Sequence, residues 1–316
     1  MNVLIFVVGL AVLIKSADFL VQGGASVAKR LGVSPLVVGL TIIAFGTSLP
    51  ELLVTMISGL RNNADLAVAN LIGSNIANVL VVLGIAAIIR PLPVHDSTVV
   101  SEVPFSLIAA LLVGFLANAA LFSSTHELSI SRLDGGILLF FFFLFMLYIY
   151  KVSREKCQDF ADDSPKLSSA RAAAYIIAGV VGLFFGGGWV VDGAVGIALL
   201  LGVDDALIGL TIVALGTSLP ELVASAVAAY RNQTDIAVGN VVGSNIFNLL
   251  LVLGLTASVV ELPFYIINNA DIVMVIVSSS MIILAMVSNR KNSITRIHGV
   301  IFVVLYLAYL GYVINR

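Results

Sequence analysis

Charge is scarce in this sequence. Asp, Glu, Lys and Arg make up 11% of its 316 residues, where an ordinary soluble domain carries roughly 25%. Too few charges exist to coat a globule, and 60% of the residues are hydrophobic. With a strongly positive mean hydropathy, the chain is expected to sit in a bilayer. Cysteine is limited to Cys157, which excludes a disulfide framework and a cysteine metal cluster. The three histidines, His95, His126 and His298, fall in connectors or near helix ends. No Walker-type phosphate loop is present, so ATP is not expected to drive the protein. The net charge of −2 says little about partners when most of the surface faces lipid.

What is abundant is long apolar runs. A spanning helix needs roughly 20 apolar residues. By that measure ten are expected, at about 2–23, 35–60, 66–89, 102–122, 132–150, 172–198, 205–230, 236–260, 270–288 and 297–314. Stretches such as Gly135 to Tyr150 show no strand-like alternation, which favours a helical bundle over a barrel. The opening run Val3 to Ile14 lacks a basic leader and a cleavage pattern, and reads as a helix. The run Phe140 to Phe143 with Phe145 reads as lipid-facing bulk.

With ten spans and the N-terminus outside, Lys29, Arg30, Arg90, Lys151, Arg154, Lys156, Lys166, Arg171, Arg231, Arg290, Lys291 and Arg296 are all cytoplasmic. Only Arg61, Arg132 and Arg316 then lie outside. The excess inside predicts extracytoplasmic termini and a cytoplasmic mid-chain loop. That loop, the polar linker 152–170, contains Asp159, Asp162, Asp163 and Pro165.

Segment 31–84 aligns without a gap onto 201–254 at a constant offset of 170, with 30 of 54 positions identical. The expected organisation is therefore a first five-helix repeat, 1–151, the linker, and a second five-helix repeat, 171–316. Five is odd, so the second copy enters the membrane from the opposite side. Inverted repeats characterise many secondary transporters, whose substrates bind at interrupted helices near the midplane.

The interruptions are legible. Ala44-Phe45-Gly46-Thr47-Ser48-Leu49-Pro50-Glu51 recurs as Ala214-Leu215-Gly216-Thr217-Ser218-Leu219-Pro220-Glu221. Pro50 and Pro220 cannot donate backbone hydrogen bonds and clash with the carbonyl four residues back, so each helix must kink or break. The break is expected to free carbonyls around Ala44 and Ala214 at the negative end of a half-helix. Thr47, Ser48, Thr217 and Ser218 add hydroxyls. Glu51 and Glu221 place a carboxylate at mid-membrane, which costs about 2.5–3.5 kcal/mol on insertion scales.

The next helix repeats Asn70, Gly73, Ser74, Asn75 and Asn78 as Asn240, Gly243, Ser244, Asn245 and Asn248. Small residues one turn apart, Ala69 and Gly73 or Gly239 and Gly243, let a neighbouring helix approach closely. The collected donors are hard oxygens, suited to Ca²⁺ and Na⁺ rather than zinc or copper. Lys15 and Asp18, one turn apart in the first span, are expected to pair locally.

Both Gly-Thr-Ser-Leu-Pro-Glu segments and both Gly-Ser-Asn-Ile-x-Asn segments resemble the alpha repeats of the cation/calcium antiporter superfamily, specifically its prokaryotic sodium/calcium exchangers. This resemblance implies an antiporter rather than an enzyme, with no cofactor. Its transported ions would be Ca²⁺ and Na⁺, and its medium the lipid bilayer of the inner membrane. No nucleic acid partner is expected, and a monomer is the simplest reading. The implied site has one Ca²⁺ position and up to three for Na⁺. Carried over by position, its ligands would be Glu51, Glu221, Thr47, Ser48, Ser74, Thr217, Ser218, Ser244, Asn78, Asn248 and the carbonyls of Ala44 and Ala214. The spans at 2–23 and 172–198 would form a sliding gate. Some relatives carry aspartate where Asn248 stands, and its loss here removes a proton-binding group. The rivals are a proton-coupled or potassium-dependent exchanger of the same superfamily and, from another class, a passive cation channel.

Overall fold

The computed structural model describes residues 1–61, 63–93, 99–122, 128–154, 167–203, 214–288 and 293–315. Outside these lie most of the mid-chain linker with Cys157 and its acidic residues, His95 and His126, and the start of the seventh expected span. Lys156, Lys166, Arg290, Lys291 and Arg316 are outside them too.

The described chain is almost entirely helical. α1 is Asn2–Leu31, ended by Gly32 in the left-handed region with φ 67°, its N–H donating to the Ala28 carbonyl. α2, Pro35–Thr47, starts from a Ser34 side-chain cap with Pro35 in its first turn, and meets α3, Leu49–Leu60, at a 46° bend. α4 is Leu66–Ile89, α5 Val99–Ala117, α6 Arg132–Ser153 and α7 Ser169–Leu200. The short α8, Ala214–Gly216, precedes α9, Leu219–Tyr230. α10 is Thr234–Val259, α11 Asn268–Val287 and α12 Arg296–Asn315.

Among the described residues seven helices are long and apolar enough to cross a membrane, and eight if α2 and α3 count as one bent span. The apolar stretch Glu102–Ala117 of α5, and α9, are shorter; the residues that would extend α9 to a full span, 205–213, are outside the description. α1 and α7 are longer than expected, at 30 and 32 residues. That is about 45–48 Å of helix against a hydrocarbon layer of roughly 30 Å, so both must tilt or protrude.

Two short antiparallel bridges, absent from the sequence reading, cross the chain. β1, Leu92–Pro93, pairs with β4, Ser293–Ile294, and β2, Ser129–Ile130, pairs with β3, Leu262–Pro263. Each bridge joins a segment of the first half to one of the second.

Enclosure is graded. The apolar window of α10 is 94% buried and that of α4 is 72% buried, whereas for α12 the figure is 11%. The two helices carrying the repeated Gly-Ser-Asn segments therefore form the centre. The expectation for the phenylalanine run is corrected in part. Phe140 and Phe143 do face outward, but Phe145 is fully buried and packs 5.1 Å from the Phe105 ring. Phe142 sits 5.1 Å from Phe247 on α10. The helical period sets this inward stripe, which Leu138, Phe145 and Ile149 share.

α1 and α7 run antiparallel in close contact, and glycine makes the approach possible. A Cβ at Gly179 would lie 2.7 Å from Leu20 Cβ, and one at Gly193 would lie 2.6 Å from the Phe6 nitrogen. α2 crosses α10 as closely: a Cβ at Gly243 would fall 2.7 Å from the Leu40 carbonyl oxygen. The small-residue spacing on α10 thus does what the sequence suggested, while Gly73 on α4 meets none of the described residues within 4 Å.

Gly179→Val should lower the thermal stability of the purified protein by about 1–3 kcal/mol through overpacking. Gly136→Ala, where a Cβ meets nothing described within 4 Å, should leave it unchanged; equal melting of both variants would contradict the packing assigned to this crossing.

Candidate cation site

Both prolines act as the sequence requires. Pro50 and Pro220 occupy the first turns of α3 and α9, where a missing N–H costs nothing. The break before each puts Glu51 or Glu221 in the first turn of a new half-helix, at the positive end of its dipole. Both carboxylates are completely buried.

Around them the two copies exchange contacts. Ser74 Oγ donates to Glu51 Oε1 at 3.1 Å, and Ser244 Oγ to Glu221 Oε1 at 3.5 Å. Thr47 Oγ1 donates to Asn240 Oδ1 at 3.0 Å, and Thr217 Oγ1 to Asn70 Oδ1 at 3.2 Å. Ser48 Oγ reaches Glu221 Oε1 at 3.0 Å, and Ser74 and Ser218 hydroxyls are 2.9 Å apart. The broken helix of each half is thus tied to the Gly-Ser-Asn helix of the other. Asn78 Nδ2 closes the centre, donating to Asn245 Oδ1 at 3.1 Å.

These bonds use one oxygen of each carboxylate and leave the other. Glu51 Oε2, Glu221 Oε2, Asn78 Oδ1 and Asn248 Oδ1 are buried without a hydrogen-bond partner. Buried polar atoms in native proteins are nearly always satisfied, so these four orphaned oxygens, two of them from carboxyl groups, fit a hard cation as their partner. Among the described residues no group of three or more His, Cys, Asp or Glu side chains could hold a metal. Hydroxyl and amide oxygens are the other donors that surround the two carboxyl groups.

A cavity of about 340 Å³ lies beside this centre. It is lined by Pro50, Gly216, Thr217 and Pro220 and, on α7, by a stretch from Phe184 to Asp192. Thr217 is half-buried in that wall, whereas Thr47, its counterpart, is fully enclosed.

Of the residues singled out from sequence, the structure brings Thr47, Ser48, Glu51, Ser74, Asn78, Ser218, Glu221, Ser244 and Asn248 together in the buried core, with Thr217 at its edge. The Ala44 carbonyl departs from expectation. It accepts from Ser48 N–H at 3.0 Å and Thr47 Oγ1 at 3.3 Å, because α2 stays wound to Thr47 and breaks one turn later than its carbonyl would need. In the second copy Ser218 N–H donates instead to Leu215 O at 3.1 Å, one residue beyond Ala214. A supporting layer was missed as such: Asn70 donates to Thr55 Oγ1 at 3.2 Å and Asn240 to Ser225 Oγ at 3.0 Å. Their repetition in both copies was the available signal. Lys15 pairs with Asp18 at 3.6 Å as expected, and Arg231 joins them unforeseen.

The model of the sodium/calcium exchanger protein family matches residues 1–151 and 171–315. The chain belongs to this family. It is 30% identical over 346 aligned positions to sodium/calcium exchanger MaX1 of Methanosarcina acetivorans, covering 98% of this chain and 97% of that protein. It is 35% identical over 262 residues to inner membrane protein YrbG of Escherichia coli, covering 80% and 78%. Its fold matches a solved structure of the sodium-calcium exchanger NCX_Mj with a TM-score of 0.83 and 30% identity, covering 98% of both chains. As a member of an exchanger family it is a multi-pass membrane transporter of cations.

Calcium should stabilise the purified protein by mass action, by about 2.7 kcal/mol at a concentration one hundred times its dissociation constant. Glu51→Gln and Glu221→Gln should each abolish the calcium-dependent rise in melting temperature; a rise preserved in both variants would place the bound cation elsewhere.

Proposed function

We propose that the chain exchanges Na⁺ for Ca²⁺ by alternating access through one shared site. The ligands in this reading are Glu51 and Glu221, the hydroxyls of Thr47, Ser48, Ser74, Thr217, Ser218 and Ser244, the amides of Asn78 and Asn248, and the carbonyl of Ala214; the Ala44 carbonyl, already accepting from Ser48 N–H and Thr47 Oγ1, is left out. The carrying observation is the set of four buried oxygens, two of them carboxylate, that no protein donor satisfies. Two negative charges balance one Ca²⁺, which takes 6–8 oxygens at about 2.3–2.6 Å. Several Na⁺ ions draw on the same oxygens, so the two species exclude one another. Exclusive occupancy of a site open to one face at a time is the physical content of antiport.

The architecture in this reading is ten spans in two inverted five-helix repeats, 1–151 and 171–316, joined by the cytoplasmic linker 152–170. Three features favour it: the antiparallel α1 and α7, the reciprocal hydrogen bonds at 170-residue offsets, and the two bridges that link the halves. The inner-membrane name of the Escherichia coli relative supports the same location here, and the excess of basic residues on the linker side favours extracytoplasmic termini. Tightly liganding carboxylates disfavour fast conduction, which needs weak binding.

Three Na⁺ for one Ca²⁺ moves one net charge per cycle, worth about 2.3 kcal/mol per 100 mV. The inward sodium gradient then extrudes calcium.

Proteoliposomes loaded with Na⁺ should take up ⁴⁵Ca²⁺, and those loaded with choline at matched pH should not. A potassium diffusion potential, inside positive, should accelerate the uptake. Equal uptake with choline would move the chain to proton coupling or a channel, and uptake indifferent to potential would remove the three-to-one ratio.

A further inference from the structure

α1 and α7 grip one another symmetrically but are held asymmetrically by their surroundings. Within the pair, an offset of 170 residues maps contact onto contact. Gly23 against Ile176 becomes Gly193 against Phe6, and Gly179 against Leu20 becomes Gly9 against Val190. Outside the pair this correspondence fails. α9 packs along α1, whereas α3, the counterpart of α9, makes no comparable contact with α7. Where α7 is left uncovered, the cavity opens.

The charges follow the same division. On the packed face Arg231, the first residue beyond α9, forms an ion pair with Asp18 of α1. Asp18 also accepts from Gln22 Nε2 at 2.9 Å and faces Lys15 at 3.6 Å, and its side chain is only 14% exposed. On the open face Arg61, the first residue beyond α3, is the counterpart of Arg231 at the 170-residue offset. It is exposed, and among the described residues it has no ion-pair partner. Asp192 of α7, exposed and likewise unpaired, is the one charged residue lining the cavity. It matches Gln22 by offset and stands one helical turn from Gly188, which matches Asp18. Each face therefore carries an arginine at the end of a site-bearing helix and a carboxylate on the α1/α7 pair. One couple is joined and the other is apart.

We propose that Asp18 and Arg231 are positioning residues for exchange, an ion pair that keeps the site shut on the α1 face, and that Asp192 and Arg61 are its alternate, joining when the cavity face shuts. The inference rests on the alternating-access reading above. Two couples made in opposite states offset each other, which keeps those states near in free energy. A bound ion that favours one state by a modest margin can then shift the population. Without the second couple, the Asp18–Arg231 pair would bias the protein towards one face.

The test uses the full chain in lipid nanodiscs, where both faces meet solvent, in a Cys157→Ser background with Gly188→Cys as reporter. Gly188 lines the cavity, and a Cβ there meets none of the described residues within 4 Å. The readout is the rate of modification by a charged thiosulfonate. Asp18→Asn and Arg231→Gln should each slow modification roughly threefold, the scale of a partly exposed ion pair, because the cavity is open less of the time. Adding Arg61→Gln to Asp18→Asn should restore the rate, as should the swap Asp18→Arg with Arg231→Asp. An unchanged rate in Asp18→Asn, or a slowed rate that neither second change corrects, would overturn the proposal. Modification requires no transport: a protein showing these rates but no Na⁺-dependent Ca²⁺ uptake would retain the paired latches and lose the exchange reading.

Discussion

A carboxylate enclosed in a bilayer without a partner for one of its oxygens is among the least favourable groups a fold can contain. Among the described residues Glu51, Glu221 and Glu102 are of this kind; Glu102 stands apart, held by the Tyr148 hydroxyl, and the repeated elements are arranged around Glu51 and Glu221. Their inner oxygens are held by Ser74, Ser48 and Ser244, which fixes their direction, and their outer oxygens are left over. Arginine or lysine would neutralise them permanently, yet among the described residues no basic side chain pairs with either. A proton or a mobile cation could supply the compensation, and in the proposed reading it is a cation present in either of two forms that couples one flux to another.

The constraint explains the surrounding architecture. Half-helix N-termini are needed to stabilise the anions, so the helices break at Pro50 and Pro220. Breaks leave backbone polar groups that lipid cannot satisfy, so the broken helices must lie at the centre, covered by α4 and α10. Covering them closely needs helices without bulk at the crossings, which is the role of Gly39, Gly239 and Gly243. Long, apolar and mostly outward-facing, α1 and α7 contribute no proposed ligand, and α7 walls the cavity beside the site.

The repeated segments made the central residues legible in advance, because two copies in register mark a polar residue in a hydrophobic run as deliberate. The spanning helices were readable from the length of their apolar runs. What local sequence could not convey was which oxygens end up engaged. Whether the Ala44 carbonyl is free depends on where within one turn the winding stops, and Pro50 constrains this only loosely. The inward turn of Phe145 depends on Phe105 and Phe142, neighbours in space rather than in pattern. The Asp18–Arg231 pair spans more than two hundred residues of chain, and the β bridges are two residues each, below any periodic signal. The asymmetry between faces is invisible to a sequence whose two copies are so alike.

The central claim is that Na⁺ and Ca²⁺ compete for the oxygens of Glu51 and Glu221. Equilibrium binding of ⁴⁵Ca²⁺ to the purified protein, titrated with NaCl at constant ionic strength, tests it most directly. The account predicts one Ca²⁺ per chain, displaced completely by Na⁺ with a slope steeper than one-for-one. Calcium that remained bound at saturating Na⁺ would contradict it.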